Sequence, residues 1–184
     1  MPAQNHKPEF AGLVDAHARE LHAFLWRLLR DQNESEDCLQ SVFLRAYRAY
    51  DRMPAGANYR AWLYKIASNE ARTQLRRRAR VPIGLADELP VPAATVEDQA
   101  ERGLRLREVA KAIERLPYKQ RAALVLSKYQ DLSYADIGEI LGTSPEAARA
   151  NAYQALRKLR GLFREAGAGQ VTDQHRARFE EGVR

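Results

Sequence analysis

The stretch that most restricts how this chain can fold is residues 132–160, LSYADIGEILGTSPEAARANAYQALRKLR. Ser133 can cap a helix start, and Asp136, three residues on, answers it as a capping box. Ile137, Ile140 and Leu141 then recur at helical spacing, Gly142 stops the run, Thr143 and Ser144 supply a second cap, and Pro145 suits a first helical turn. The following helix turns Ala148, Ala152, Leu156, Leu159 and Phe163 inward. Two helices joined by so tight a turn cross steeply, and small Gly138 and Ala148 let their backbones approach. The spacing therefore predicts a helix-turn-helix. Its second helix leaves Glu146, Arg149, Ala150, Tyr153, Gln154 and Arg157 facing out, with Asn151 at the margin and Lys158 beyond. The first turns of such a helix can reach base edges in a DNA major groove. An ordinary helical hairpin with a solvated charged face would show the same pattern, so the rest of the chain has to decide.

The 184 residues suffice for two small domains, and an apolar content of 45% argues against wholesale disorder. A formal charge of +6 and a pI near 9.6 favour an anionic partner such as nucleic acid. The charge is divided: net +5 over residues 1–80, −4 over residues 81–100, and +5 over the remainder. Two basic blocks thus flank an acidic connector. No apolar run is long enough to span a membrane, and MPAQNHKPEF lacks a signal-peptide core, so membrane insertion is not expected and the cytoplasm is the expected location. Single Cys38 can form neither an internal disulfide nor a cysteine-based zinc site, and His6, His17, His22 and His175 make no helical ligand pair. No nucleophile-base arrangement or phosphate-cradling glycine loop is present, so the expectation is a non-enzyme without metal or cofactor.

Taken in order, Phe10, Leu13, Val14, Leu21, Phe24, Leu25, Leu28 and Leu29 form the stripe of an amphipathic helix over Glu9 to Arg30. Asn33 and Glu36 predict a capped restart, with Leu39, Val42, Phe43, Ala46, Tyr47 and Tyr50 on the inner face of the second helix. DRMPAGANY, residues 51–59, breaks the period and reads as an exposed loop. A third helix begins near Tyr59, burying Trp62, Leu63 and Ile66 while Lys65, Asn69, Arg72, Arg76, Arg77, Arg78 and Arg80 line an outer side. Residues 81–100 hold three prolines and four acids with little periodicity, which marks a linker. Helical pattern resumes near Leu104 with Leu106, Val109, Ile113 and Leu116, breaks at Pro117, and continues through Leu124, Val125, Leu126 and Tyr129 into the helix-turn-helix. Residues 165–184 suggest a short terminal helix without an assignable role.

Four segments in this order, SEDCLQSVFLRAYRAYDR (35–52), NYRAWLYKIASNEARTQLRRR (58–78), LREVAKAIERLPYKQRAALVLSKYQDLSYADIGEIL (106–141) and the helix after them, resemble the extracytoplasmic-function class of bacterial sigma factors. The resemblance covers about residues 10 to 163 and implies an all-α fold of two small helical domains joined by a flexible linker, the second a helix-turn-helix. The expected divisions are 9–80 for promoter opening, −10 recognition and polymerase binding, 81–103 for the linker, 104–164 for −35 recognition, and 165–184 for a tail.

What the resemblance implies is a non-catalytic subunit that brings core RNA polymerase to promoter DNA, with the beta-prime clamp and beta flap as docking points and an anti-sigma factor as its restraint. Asp37, Gln40, Phe43, Leu44 and Arg45 would meet the clamp, although Ser41 stands where the family often has an acid. The loop from Arg52 and the helix after it would hold an unpaired, flipped −10 base, through Asn58, Asn69, Lys65, Arg76 and Arg77. Glu146, Arg149, Ala150, Asn151, Tyr153, Gln154, Arg157 and Lys158 would lie at the −35 element. Asn151 and Gln154 replace residues that are commonly basic, which trades guanine or phosphate contacts for adenine readout. A stand-alone helix-turn-helix regulator is the rival reading. It would require a ligand pocket, receiver or dimer seam in the N-terminal part, and none is legible there.

Overall fold

The computed structural model describes residues 7–80 and 108–180, with side chains described as far as Leu162. The described residues contain helices and no strand: α1 (Phe10–Leu29), α2 (Gln32–Tyr50), α3 (Tyr59–Arg78), α4 (residues 108–114), α5 (Tyr118–Tyr129), α6 (Tyr134–Leu141) and α7 (Pro145–Glu180). The expected linker over 81–103, together with Leu104 and Leu106, lies outside the described residues, as do residues 181–184 and the side chain of Phe163. Among the described residues no helix is long and apolar enough to cross a membrane.

The stripe of α1 buries Leu13, Leu21, Phe24, Leu25, Leu28 and Leu29. Arg30 ends the helix in the left-handed region, φ 60°, and its N–H donates to the Trp26 carbonyl at 2.8 Å. That sharp exit leaves extended Asp31 next in line, and its carboxylate accepts from the Glu34 N–H at 2.8 Å. The cap of α2 is therefore Asp31, two residues before the Asn33 and Glu36 box expected from sequence. Val42 and Ala46 face inward, whereas Tyr47 is 66% exposed and not on the inner face, because it stands a further 100° or so round the helix from Ala46. Asn58 caps α3 by accepting from the Ala61 N–H at 3.0 Å. Leu63 and Tyr64 are wholly buried, while Trp62 and Ile66 are half-buried against the core.

In the C-terminal unit the hairpin follows its sequence signals. The Asp136 N–H donates to Ser133 Oγ at 3.1 Å and the Ser133 N–H to the Asp136 carboxylate at 3.3 Å. Gly142 takes φ 58°, and Ser144 Oγ accepts from the Ala147 N–H at 3.2 Å. A Cβ on Gly138 would fall 2.8 Å from the Thr143 carbonyl oxygen and 3.1 Å from Pro145 N, so this position has no room for a side chain. Ala155 joins Ala148, Ala152 and Leu159 in the buried face of α7, with Leu156 half-buried. The backbone of α7 continues as one helix to Glu180 without stopping at the AGAG stretch. Each glycine weakens a helix by about 1 kcal/mol relative to alanine without forbidding it.

The two units pack together. One apolar cluster runs from Leu21, Leu25, Leu63 and Ala67 into Leu126 and Ile137, and a smaller one joins Ala112, Leu116, Leu124, Ala155 and Leu159. Polar side chains, buried or partly buried, cross the seam. Tyr64 Oη donates to Gln130 Oε1 at 2.6 Å, and Arg60 donates both to the Gln130 carbonyl at 2.7 Å and to the Glu20 carboxylate at 2.8 Å. Tyr118 Oη donates to the Ser68 carbonyl at 2.6 Å, and Arg121 donates to the Leu28 carbonyl at 3.0 Å and also to that of Glu114. Burial would raise the Glu20 carboxyl, but the hydrogen bonds and charges of Arg60 and His17 outweigh it and hold it below the ordinary value of 4.5.

Two consequences follow. Gly138→Ala should lower stability by roughly 1–3 kcal/mol through overpacking of the turn, measured by denaturant titration. Because the ionised Glu20 is favoured in the folded state, its contribution is complete above pH 4.5 and fades as pH falls through the lower folded value. Glu20→Gln should therefore flatten the acid limb of a stability-versus-pH curve, and an unchanged limb would show that the pair contributes nothing to acid sensitivity.

Candidate nucleic-acid and polymerase interface

The outer side of α3 carries the basic stripe anticipated from its spacing. Lys65, Asn69, Arg72 and Arg76 recur at intervals of four, three and four and are exposed, as are Arg77 and Arg78. Arg72, left out of the −10 set, belongs to this stripe by position and exposure alike. It also bears on the seam: burial pushes the Tyr118 phenol up to about 12, and the Ser68 hydrogen bond and the Arg72 charge offset part of that rise. Asn58 is engaged elsewhere. Its oxygen caps α3 and its Nδ2 donates to Asp136 at 3.1 Å. Lys65 lies 3.8 Å from the Glu139 carboxylate. Two members of the expected −10 set thus already meet acidic groups on α6, whereas Asn69, Arg76 and Arg77 face outward.

On α7, Ala150, Tyr153 and Arg157 are exposed, and the Arg149 guanidinium sits over the Tyr134 ring at 5.2 Å. Glu146 faces its own helix start: a hydrogen bond to its own backbone, then one from Ser144, holds its carboxyl below the usual range. Asn151 Nδ2 donates to the Ala147 carbonyl at 2.8 Å, so this amide turns back along the helix. Gln154 Oε1 accepts from Gln120 Nε2 at 2.8 Å, and Lys158 Nζ donates to Gln120 Oε1 at 3.0 Å. A paired donor and acceptor for adenine, expected of Asn151 and Gln154, is not what either amide presents outward. Sequence reasoning missed Gln120 because it lies on α5, and no spacing rule on α7 points to it.

The polymerase-facing candidates divide between surface and core. Asp37, Gln40, Leu44 and Arg45 are exposed on α2, and Phe43 is half-buried against the core cluster. Arg45 pairs with Glu70 of α3. Tyr47, missed as a surface residue, stands with Leu44 on the exposed side, its ring edge-on to Phe10 at 5.2 Å. Exposed apolar groups this large are suited to a protein partner. Cys38 is free and buried, and burial pushes its thiol up to about 12, which makes it unreactive. Among the described residues no group of His, Cys, Asp and Glu could hold a metal ion.

The Sigma-70 region 2 family matches residues 13–81, which carry α1 to α3, and Sigma-70 region 4 matches residues 106–159, which carry α4 to the recognition part of α7. The RNA polymerase sigma factor CarQ of Myxococcus xanthus is 36% identical over 157 residues, covering 85% of this chain and 90% of that protein. The ECF RNA polymerase sigma factor SigL of Mycobacterium tuberculosis is 30% identical over 157 residues, covering 84% and 89%. Among solved structures, the sigma factor RpoE in complex with the anti-sigma factor NepR from Bartonella quintana superimposes with a TM-score of 0.67 at 25% identity, over 84% of this chain and 96% of that one. CnrH in complex with the cytosolic domain of CnrY gives a TM-score of 0.63, also at 25% identity, over 85% and 88%. Two regions matched in order, with relatives covered over about nine-tenths of their length, carry one conclusion: the chain belongs to the extracytoplasmic-function RNA polymerase sigma factors of the sigma-70 family.

Proposed function

We propose that the chain binds core RNA polymerase, directs it to promoters by reading a −35 element with α7 and a −10 element with α3 and the loop before it, and helps open the duplex there. The observation that carries this reading is the order of surfaces. An apolar exposed patch on α2, a basic stripe on α3 and a reader helix on α7 fall within the two matched regions in sequence. Asn69 with Arg76 and Arg77 would hold the unpaired strand, Arg149 and its neighbours the duplex, and Asp37, Gln40 and Leu44 the beta-prime clamp. The −35 unit would also dock on the beta flap. Residues 9–80 and 104–164 act as the two functional domains, and 81–103 as the connector between them. The chemistry of polymerisation stays with the polymerase, so the chain needs no catalytic group or cofactor of its own, and it acts in the cytoplasm.

The seam gives this reading a mechanical consequence. The two promoter elements lie about 25 base pairs apart by their names, or about 85 Å at 3.4 Å per step. In the packed arrangement Asn58 and Asp136 are 3.1 Å apart, so α3 and α6 touch. Both elements cannot be engaged until the units separate, with the chain between them as the tether. Control by an anti-sigma factor accords with this, since the solved relative RpoE was captured with the anti-sigma factor NepR.

Promoter-dependent transcription by purified core polymerase with this chain tests the reading; tight duplex binding without initiation on any candidate promoter would favour the regulator instead. Asn69→Ala should reduce strand opening about tenfold while sparing −35 duplex binding, and Arg149→Ala should do the reverse, each within what one good base contact provides. Equal losses of both steps in both variants would remove the division of labour. Joining Asn58→Cys to Asp136→Cys through a cleavable bis-maleimide should abolish initiation until the link is cut, with buried Cys38 left unreacted; full activity while bridged would show that the units need not part.

A further inference from the structure

Lys158, Gln120 and Gln154 form a directed chain that crosses from α7 to α5 and back. An ammonium group has three donors and no acceptor, so the Gln120 atom 3.0 Å from Lys158 Nζ must be its oxygen. Gln120 is only 9% exposed, and its Nε2 is then left facing Gln154. A donor there requires an acceptor opposite, and Gln154 answers with Oε1 at 2.8 Å. The orientation of both amides is thus settled by hydrogen-bond chemistry, the way an amide flip has to be settled. The consequence reaches the surface: Gln154 is exposed, its carbonyl is turned inward, and its Nε2 hydrogens face solvent.

We infer that Gln154 meets promoter DNA as a hydrogen-bond donor only, its polarity set by Lys158 through Gln120. Gln120 is a positioning residue and Gln154 the specificity-determining one. This inference rests on the reading of α7 as the −35 reader. In the major groove guanine offers two acceptors, O6 and N7, thymine offers O4, and adenine offers N7 beside its N6 donor, whereas cytosine presents only the N4 donor, which calls for the carbonyl Gln154 has turned away. Gln154 therefore rejects cytosine, and prefers guanine or thymine over adenine, whose single acceptor stands beside a donor that the amide hydrogens cannot satisfy. A glutamine free to rotate would instead pair bidentately with adenine. With its oxygen occupied, Gln154 shares with lysine and arginine the property of donating only.

The experiment is selection from a randomised duplex library by the 184-residue chain assembled with core polymerase, comparing wild type with Gln154→Ala, Gln120→Glu and Arg149→Ala. Gln154→Ala locates the base it reads, and wild type should prefer guanine or thymine there over cytosine by at least about fivefold. Gln120→Glu keeps the shape and the Lys158 contact but replaces the donor facing Gln154 with an acceptor. The Gln154 amide should then turn over, and the preference at that one position should move to adenine or cytosine. A merely structural role for Gln120 would weaken all positions together and invert none. Adenine preferred by wild type at the Gln154 position, or no inversion in Gln120→Glu, would overturn the inference. A uniform loss in Gln154→Ala would place its donor on a phosphate and overturn base reading as well. If Arg149→Ala also leaves every preference intact, the −35 reading of α7 fails. Side-chain amide exchange in the free chain then isolates the relay, with slow exchange at Gln120 and fast exchange at Gln154 supporting it and equal rates removing it.

Discussion

The buried joint at the end of α5 is the interaction on which the arrangement of this molecule depends. Gln130 is only 6% exposed, yet its side chain takes a hydrogen bond from Tyr64 and its carbonyl takes one from Arg60, both on α3. A buried amide or phenol without a partner costs about 1–3 kcal/mol, so groups of this kind specify one docking geometry and penalise the neighbouring ones. Arg121 acts in the same sense at the other end of α5. Its guanidinium donates to the carbonyl of Leu28 near the end of α1 and to that of Glu114 at the end of α4. Apolar contacts hold the units together, while these polar contacts decide their register.

That register explains the electrostatics of the packed form. With α5 anchored on α1 and α3, short α6 lies along α3 and brings Asp136 to Asn58 and Glu139 near Lys65. The basic surface suited to a nucleic-acid strand is thus partly answered by carboxylates from the other unit. The contacts are exposed, and exposed ion pairs contribute little each, on the order of 1 kcal/mol or less. A polyanion or a partner protein can therefore replace them, whereas the buried joint behind them requires the units to part.

Local signals were legible because they need only neighbours in sequence. The Ser133 and Asp136 box, the left-handed Gly142 and the crowding at Gly138 all arise within a dozen residues, and each stands where its residue type predicts. Two local readings failed for an equally local reason. Arg30 adopts a left-handed conformation despite its side chain, which brings Asp31 rather than Asn33 to the cap of α2. Tyr47 reads as core by its aromatic character but is turned outward beside Leu44, and aromatic type alone does not fix a face. At the candidate site, the outward set on α3 could be counted off at helical spacing. The commitments of Asn58 to Asp136 and of Gln154 to Gln120 could not, because hydrogen-bond partners on other helices have no sequence period.

The sequence by itself determined an all-helical chain, its helix-turn-helix and its basic stripe, because caps and apolar periodicity act over one or two turns. The tertiary structure alone decided that the two units share a core, that α6 covers part of α3, and that the Gln154 amide points its hydrogens outward. Those facts depend on residues such as Tyr64 and Gln130, or Gln120 and Gln154, that lie 66 and 34 positions apart. Packing brings such groups together, and once buried side by side each dictates the orientation of the other.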